Sequence, residues 1–235
     1  MNDRVVLITG GAGNLGRSVT AAFLESGAQV AVPVYKTDQQ GALDELQSRY
    51  GDQLMSFALD LTTERGAEAV VRQVLEWRGR LDSVIHLVGG YSGGVRIAET
   101  PIELWERMID LNLRSSWLVA RSAIPALREA GGGSLVFVSA RAALQQRAGH
   151  AAYAVSKSAL LTLVQAIAEE YGAEGIRANA VLPGTVDTEA NRLASPEAEH
   201  ALWTAPAEIA RVILFLASGA ASPVNGAAIP VYGRS

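Results

Sequence analysis

Seven short apolar runs alternate along this chain with longer segments whose apolar residues recur at helical spacing. The runs are Val5–Thr9, Val30–Val34, Ser56–Leu59, Val84–Val88, Leu135–Val138, Arg177–Val181 and Ala228–Val231. The helical segments are Leu15–Ser26, Asp38–Tyr50, Thr63–Arg78, Pro101–Arg128, Ala151–Tyr171 and Pro206–Ser218. Runs this short and rich in Val, Ile and Leu are typical of strands buried on both faces. The alternation predicts one α/β domain over residues 1–235, a doubly wound parallel sheet of about seven strands with helices on both faces.

Charge and composition argue against several classes of protein. The net charge is −4 and no basic tract occurs, which disfavours binding to nucleic acid or to an anionic membrane surface. The absence of cysteine excludes disulfides, thiolate metal sites and cysteine nucleophiles, and the three histidines form no His-x-x-x-His pair. We expect no signal peptide, because residues 1–4 lead straight into an apolar strand, and no uninterrupted apolar run approaches about 20 residues. We therefore expect a cytoplasmic protein without a metal, a nucleic-acid partner or a membrane.

A glycine-rich loop follows the first strand. Val5–Thr9 leads into Gly10-Gly11-Ala12-Gly13-Asn14-Leu15-Gly16, in which Gly11, Gly13 and Gly16 satisfy Gly-x-Gly-x-x-Gly between a strand and a helix. That spacing permits a tight turn, close approach of the backbone to a pyrophosphate, and close packing of helix on strand. Alone the motif also fits a structural turn, but at the first strand–helix junction it predicts a dinucleotide site in a Rossmann-like fold.

Tyr153 and Lys157 lie four residues apart in the helical segment Ala151–Tyr171, so their side chains share one face. A lysine ammonium beside a phenol favours the phenolate, which predicts a Tyr153 pKa below about 10 and a role as general acid and base. Ser139 ends a strand at the sheet edge where such folds bind ligands, and its hydroxyl could hold a substrate carbonyl oxygen. Such a pair alone is usually a solvated helix face, but the glycine loop and Ser139 favour a catalytic centre.

Taken together, these motifs resemble the short-chain dehydrogenase/reductase family, in its shorter branch of about 250 residues, over essentially the whole chain. The matching residues occur in the family's order and are Thr9, Gly10, Gly16, Asp60, Leu61, Asn112, Ser139, Tyr153, Lys157, Pro183 and Gly184. The resemblance implies an NAD(P)-dependent oxidoreductase that acts on a small ketone or secondary alcohol. It also implies a homodimer or homotetramer.

The family implies a role for each matching residue. Tyr153 would exchange a proton with the substrate oxygen, Lys157 would bind the nicotinamide ribose hydroxyls, and Ser139 would orient the carbonyl. Asn112 would hold a water in a proton relay, although alone it also fits a helix-interior polar residue. Asp60 would contact the adenine. The residues expected to bind the cofactor are Gly10, Gly13, Asn14, Leu15, Gly16, Tyr35, Lys36, Asp60, Leu61, Val88, Gly89, Gly90, Tyr153, Lys157, Pro183, Gly184, Val186 and Thr188.

Three features depart from the family pattern. Asn14 stands where glycine is usual, and because Asn tolerates left-handed backbone we expect the loop to work. His86-Leu87-Val88-Gly89 replaces the usual Asn-Asn-Ala-Gly. The substrate lid, about residues 185–205, is short. We expect it to be mobile without cofactor and to leave an open cleft that accepts many carbonyl compounds; the alternative is a fixed loop packed by Leu193, Leu202 and Trp203.

The end of the second strand favours NADP(H) over NAD(H). NAD-preferring members place an acid there to bind the ribose hydroxyls, whereas this chain has Val34 followed by Tyr35-Lys36-Thr37. Lys36 could pair with a 2′-phosphate. Asp38 lies close enough along the chain that NAD(H) stays open.

Two other functions remain. One is pterin reduction, since Val88–Gly94 resembles the dihydropteridine reductase branch, which lacks the serine present here as Ser139. The other is a cofactor-binding sensor or scaffold without turnover, against which the Asn112, Ser139, Tyr153 and Lys157 set argues.

Overall fold

The computed structural model describes residues 1–35 and 41–234. Within those residues seven strands form one parallel sheet in the order β3-β2-β1-β4-β5-β6-β7. The strands are β1 Val5–Thr9, β2 Gln29–Val34, β3 Leu54–Ala58, β4 Ser83–His86, β5 Gly133–Val138, β6 Ile176–Pro183 and β7 Ala228–Val231. The predicted seven-stranded, doubly wound α/β fold is confirmed.

Helices cover both faces of this sheet. They are α1 Asn14–Glu25, α2 Asp44–Tyr50, α3 Glu64–Arg78, α4 Ile102–Ile109, α5 Ser115–Glu129, α6 Ala151–Tyr171, α7 Glu189–Ala194 and α8 Pro206–Ala217. Two apolar cores result, one in which α3, α5 and α6 pack on the sheet and one in which α1 and α8 do so. Both faces of each central strand are therefore buried, which explains the continuous apolar runs in the sequence.

The strand order reverses direction between β1 and β4, which lie side by side with Thr9 opposite His86. In open α/β sheets the crevice at such a switch point, beyond the carboxyl ends of the strands, is where ligands bind. The glycine loop after β1 and the segment after β4 both enter this crevice. The candidate site is built here.

The predicted helix Pro101–Arg128 is interrupted. Helix α4 ends at Ile109, a π-helical turn covers Asp110–Arg114, and α5 begins at Ser115. A π-turn inserts one residue, which apolar periodicity does not reveal, and such turns occur frequently at functional sites. This one contains Asn112.

The bounds of strand β4 and helix α2 also differ from those predicted. Strand β4 ends at His86 and not at Val88, because the chain turns there to pass over the glycine loop. The two segments are so close that a Cβ on Gly10 would lie 3.1 Å from the Val88 nitrogen. Helix α2 begins at Asp44, and residues 38–40 of its predicted span lie outside the described residues.

One segment, Ala151–Glu174, has the length and mean hydropathy (1.3) of a membrane-spanning helix. In the fold it comprises α6 and the turn after it. Helix α6 packs against β6, and it carries the buried Lys157. Only 39% of its apolar window is buried within the fold, so this internal position accounts for part of its apolar character.

Candidate active site

The glycine loop folds back on itself at the start of α1. Gly10 has a φ of +73°, and its carbonyl accepts a hydrogen bond from the Gly13 nitrogen at 3.1 Å. A Cβ on Gly16 would lie 2.0 Å from the Gly10 oxygen, so this position admits only glycine without rearrangement. Asn14 is the first residue of α1, and among the described non-glycine residues only Asp3 has a positive φ. The loop therefore does not use the left-handed tolerance expected of Asn14.

The start of α1 suits a pyrophosphate. Gly13 occupies the N-cap position and supplies no capping side chain, and the first turn contains no acidic residue. The first N–H groups of a helix lack intrahelical acceptors and carry partial positive charge, which favours phosphate. The exposed Asn14 and half-buried Leu15 line this turn, as predicted from the motif.

The residues assigned to the adenosine half lie at the ends of β2 and β3, which pair side by side. Asp60 follows β3, and its Oδ1 accepts hydrogen bonds from the Thr62 nitrogen (2.9 Å) and hydroxyl (2.7 Å). Leu61 is buried, whereas Tyr35 is exposed. Lys36, on which the NADP(H) prediction depends, lies outside the described residues.

The segment after β4 is held against α6 and the π-turn. Gly90 donates its N–H to Asn112 Oδ1 (2.9 Å), and Asn112 Nδ2 donates to the Gly90 oxygen (3.0 Å). A Cβ on Gly89 would lie 2.8 Å from Asn112 Oδ1 and 2.9 Å from Lys157 Nζ. Gly89 and Gly90 thus lie directly against two of the predicted catalytic residues, Asn112 and Lys157.

The Asn112 side chain joins the segment after β4 to helix α6. Its side chain is fully buried, and besides Gly90 its Nδ2 donates to Ser156 Oγ at 3.0 Å. Its backbone oxygen accepts from the Ser116 hydroxyl. These contacts show a carboxamide that fixes Gly90 relative to α6. The predicted role of Asn112 in holding a relay water stays a prediction.

Lys157 lies beneath the cleft, only 5% exposed, and its Nζ donates to the Val138 oxygen at 2.9 Å. Burial lowers the Lys157 pKa to about 8. The Tyr153 pKa is raised to about 12, first by burial and then by the neighbouring Tyr91. The prediction that the Tyr153 pKa is lowered is therefore wrong for this structure, because burial and Tyr91 both raise it. Tyr153 is a protonated donor near neutral pH.

Ser139 is buried, and its hydroxyl donates to the backbone oxygen of Lys157 at 2.8 Å. Its nitrogen donates to the Val181 oxygen on β6. The proton that was expected to hold a substrate carbonyl is therefore directed at helix α6. In this arrangement Ser139 anchors the strand end to the turn of helix that carries Lys157.

His86 forms a buried polar link that the sequence did not reveal. Its Nδ1 lies 2.8 Å from Thr9 Oγ1 and its Nε2 lies 3.2 Å from Ser115 Oγ. Ser115 donates its own proton to the Leu111 oxygen, so the imidazole donates from Nε2 and accepts at Nδ1. Burial, and secondarily the charge of Lys157, lowers the His86 pKa from 6.5 to about 3. A neutral imidazole thus joins the end of β1 to the π-turn.

This neutral histidine predicts a pH dependence of stability. Its folded-state pKa lies below its unfolded value, so its contribution to stability is complete above pH 6.5 and is lost as the pH falls towards 3. We expect the free energy of unfolding to fall by up to about 1.4 kcal/mol per pH unit below pH 6.5 from this group. His86→Gln should flatten that slope in urea titrations between pH 6.5 and 4.5. The surface variant His200→Gln should retain it; an unchanged slope in His86→Gln would contradict the assignment.

The segment from Pro183 to Thr188 leaves β6 beside β7. The Gly184 nitrogen donates to the Val231 oxygen (3.2 Å), and Val186 forms a β-bridge with Thr204. Thr188 caps α7, accepting from the Asn191 nitrogen at 3.3 Å. Leu193 is 76% exposed, which is contrary to the alternative in which that side chain packs the loop.

Two residues to which the sequence reasoning gave no role lie beside Tyr153. The Tyr91 ring packs edge-on against Tyr153, with centroids 5.1 Å apart and planes at 83°. The Tyr91 hydroxyl lies 2.7 Å from His150 Nε2. An aromatic residue inside a glycine-rich run at the carboxyl edge of the sheet was the available signal for Tyr91. For His150 the signal was its position one residue before α6.

Comparison with known proteins agrees with this arrangement. A family model described as enoyl-(acyl carrier protein) reductase matches residues 10–233. The chain is 30% identical to 2-(R)-hydroxypropyl-CoM dehydrogenase of Xanthobacter autotrophicus, over 98% of both chains. It is 29% identical to an uncharacterised NAD-dependent oxidoreductase of Mycobacterium tuberculosis, over 98% of this chain and 95% of that relative. A solved short-chain type dehydrogenase/reductase from Mycobacterium ulcerans superposes with a TM-score of 0.94 at 32% identity, over 100% of this chain and 90% of that one.

Proposed function

The chain belongs to the short-chain dehydrogenase/reductase family and is an NAD(P)-dependent oxidoreductase; we propose that it transfers hydride between NADP(H) and a ketone or secondary alcohol, with Tyr153 as general acid and base. The observation that carries the proposal is the close approach of Gly89, in the segment after β4, to the ammonium of the buried Lys157, one helical turn along α6 from Tyr153. The relative named as acting on a 2-hydroxypropyl group, a secondary alcohol, supports the substrate class.

The chain's own residues provide orientation and the proton. The N-terminal turn of α1 would hold the pyrophosphate, and Lys157 would bind the nicotinamide ribose hydroxyls from below. The bound cofactor supplies hydride. In the direction of reduction, the Tyr153 hydroxyl gives its proton to the substrate oxygen as that oxygen gains negative charge. Asn112 keeps Gly90, and with it the segment over Lys157, in place.

A panel of ketones and secondary alcohols, assayed with NADPH and NADH in parallel, tests this function. We expect turnover of several members, because the lid is short and we propose that it is mobile and leaves the cleft open. Cofactor binding without oxidation or reduction of any member would favour the non-catalytic sensor instead. A homodimer or homotetramer in the cytoplasm is part of the same proposal.

The cofactor preference is tested at Lys36. Lys36→Ala should weaken NADPH binding more than NADH binding, because only NADPH carries the 2′-phosphate. A charge-assisted pair contributes about 1.5–3 kcal/mol, so the dissociation constant for NADPH should rise by about 10- to 150-fold. Lys36→Arg keeps the charge and should keep the preference. Equal losses for both cofactors would show that Lys36 does not read the phosphate.

Pterin reduction is a second candidate, favoured by one observation. The serine that distinguishes this chain from the dihydropteridine reductase branch directs its hydroxyl to the Lys157 carbonyl and not into the cleft. Its presence is therefore no argument against a pterin. A quinonoid dihydropterin belongs in the same panel, and exclusive turnover of that compound would replace the ketone proposal.

A further inference from the structure

The hydroxyl of Tyr91 is the feature that the mechanism above leaves without a role. Tyr91 is 63% exposed, and its ring packs against that of Tyr153. The Tyr91 phenol also contributes to the raised Tyr153 pKa, which places the two hydroxyl groups in one electrostatic environment. A substrate whose oxygen meets Tyr153 would therefore have its neighbouring atoms near Tyr91.

The direction of the hydrogen bonds around Tyr91 follows from the heavy atoms. His150 Nδ1 lies 2.8 Å from the Ala148 carbonyl oxygen, which can only accept, so Nδ1 carries the proton. In the neutral imidazole Nε2 is then an acceptor, and the Tyr91 hydroxyl donates to it across 2.7 Å. The Tyr91 oxygen thus has lone pairs, and no proton, left for a further partner.

The other polar groups of this region have partners already. The Ser139 hydroxyl donates to the Lys157 oxygen, and the Lys157 ammonium donates to the Val138 oxygen. The Asn112 carboxamide binds Gly90 and Ser156. Beside the Tyr153 proton donor, Tyr91 therefore contributes an acceptor whose own proton is fixed by His150.

We propose that Tyr91, oriented by His150, positions the substrate by accepting a hydrogen bond from a hydroxyl or N–H group next to the reacting carbonyl. The substrate class is then a carbonyl compound with an adjacent donor, such as an α-hydroxy ketone. This inference rests on the proposed function. Tyr91 is a positioning residue, because it acts on the neighbouring group and not on the reacting carbon.

Gly93 makes the Tyr91–His150 contact possible. A Cβ on Gly93 would lie 2.4 Å from His150 Cδ2 and 2.9 Å from the Tyr91 hydroxyl oxygen. The two segments are also tied by backbone bonds from Gly94 and Val95 to the Gly149 oxygen, so the pair could serve only to join two loops. The experiment has to separate recognition from such a structural role.

Pairs of ketones that differ only in the hydrogen-bond donor separate recognition from a structural role. 2-Hydroxyacetophenone is compared with 2-methoxyacetophenone, and 2-hydroxycyclohexanone with its methyl ether, using NADPH and NADH. The methyl ether removes the donor and keeps the acceptor. We expect the unaltered enzyme to show a KM about tenfold lower for each hydroxy ketone, the magnitude of one net hydrogen bond.

Tyr91→Phe should bring this ratio close to one by raising the KM of the hydroxy ketone more than that of its methyl ether. Gly93→Ala keeps every side chain of the pair but forces it apart, and should give the same loss of discrimination. His150→Gln provides another acceptor for the Tyr91 proton and should retain part of the discrimination between the two ketones. Tyr171→Phe is the control, because Tyr171 lies about 27 Å from Tyr153 along α6. The ratio of the two KM values should not change in this variant.

Each outcome is decisive. A ratio near one in the unaltered enzyme, a ratio that Tyr91→Phe retains, or turnover confined to ketones without the donor would overturn the inference while leaving the oxidoreductase proposal intact. Equal losses for both members of a pair in Tyr91→Phe would show a structural role only. Absence of turnover for every carbonyl compound would overturn the proposed function, and the inference with it.

Discussion

Replacing Tyr153 with phenylalanine is expected to lower turnover by about 10²- to 10⁴-fold, the usual contribution of a positioned proton donor. A tyrosine phenol is protonated near neutral pH. Burial and Tyr91 raise the Tyr153 pKa to about 12, so the hydroxyl keeps its proton until the substrate oxygen gains negative charge. Phenylalanine keeps the ring and its edge-on contact with Tyr91, and removes only the hydroxyl. The cofactor dissociation constant should change little.

Steady-state rates with the best ketone of the panel, together with fluorescence titration of NADPH, measure both quantities. Tyr50→Phe removes a hydroxyl at the far end of α2 and should leave both unchanged. Retention of most of the turnover by Tyr153→Phe would remove Tyr153 from the mechanism.

The second large effect is expected at Gly16. In Gly16→Ala the added Cβ would lie 2.0 Å from the Gly10 oxygen and 2.7 Å from the Gly11 carbonyl carbon, both of them backbone atoms that cannot move aside cheaply. Such overpacking costs about 1–3 kcal/mol. If only the cofactor-binding conformation of the loop is destabilised, cofactor affinity falls by about 5- to 150-fold. If the whole fold absorbs the cost of overpacking, the free energy of unfolding falls by the same amount.

Gly219→Ala is the matched control, since a Cβ there meets no heavy atom within 4 Å and the residue is exposed. Urea unfolding and NADPH titration of the two variants distinguish the two cases. Full stability together with full cofactor affinity in Gly16→Ala would show that the close contact between α1 and the glycine loop is not needed.

The strands and their order could be predicted because their physical signals are local. Strands buried on both faces need continuous apolar residues, and parallel strands need a connecting helix. The division of Pro101–Arg128 could not be predicted, since a single inserted residue at Asp110–Arg114 leaves the apolar pattern on either side intact. The conformation of Asn14 was also missed, because helical and left-handed backbone are both open to that residue.

The candidate site was predictable where spacing along a helix fixes geometry, as for Tyr153 and Lys157. It was not predictable where the outcome depends on which of several partners a hydroxyl or a charge meets. The Ser139 hydroxyl could have donated to a substrate or to the Lys157 oxygen, and spacing does not decide between them. Spacing likewise does not reveal how strongly burial raises the Tyr153 pKa. The roles of His86 and Tyr91 depend on hydrogen bonds with residues far away in sequence, Ser115 and His150 respectively.

The central position of β1 has a consequence for how the chain is made. Strand β1 leaves the ribosome before β2 and β4, which flank it in the finished sheet, and its last residue, Thr9, is bonded to His86. At about 5–20 residues per second, β1 waits roughly 4–15 s for β4 to be synthesised. During that interval an apolar strand is exposed on one edge. A nascent chain cut before residue 83 should therefore require chaperones to stay in solution, whereas a cut after β6 should release a sheet that lacks only its last strand.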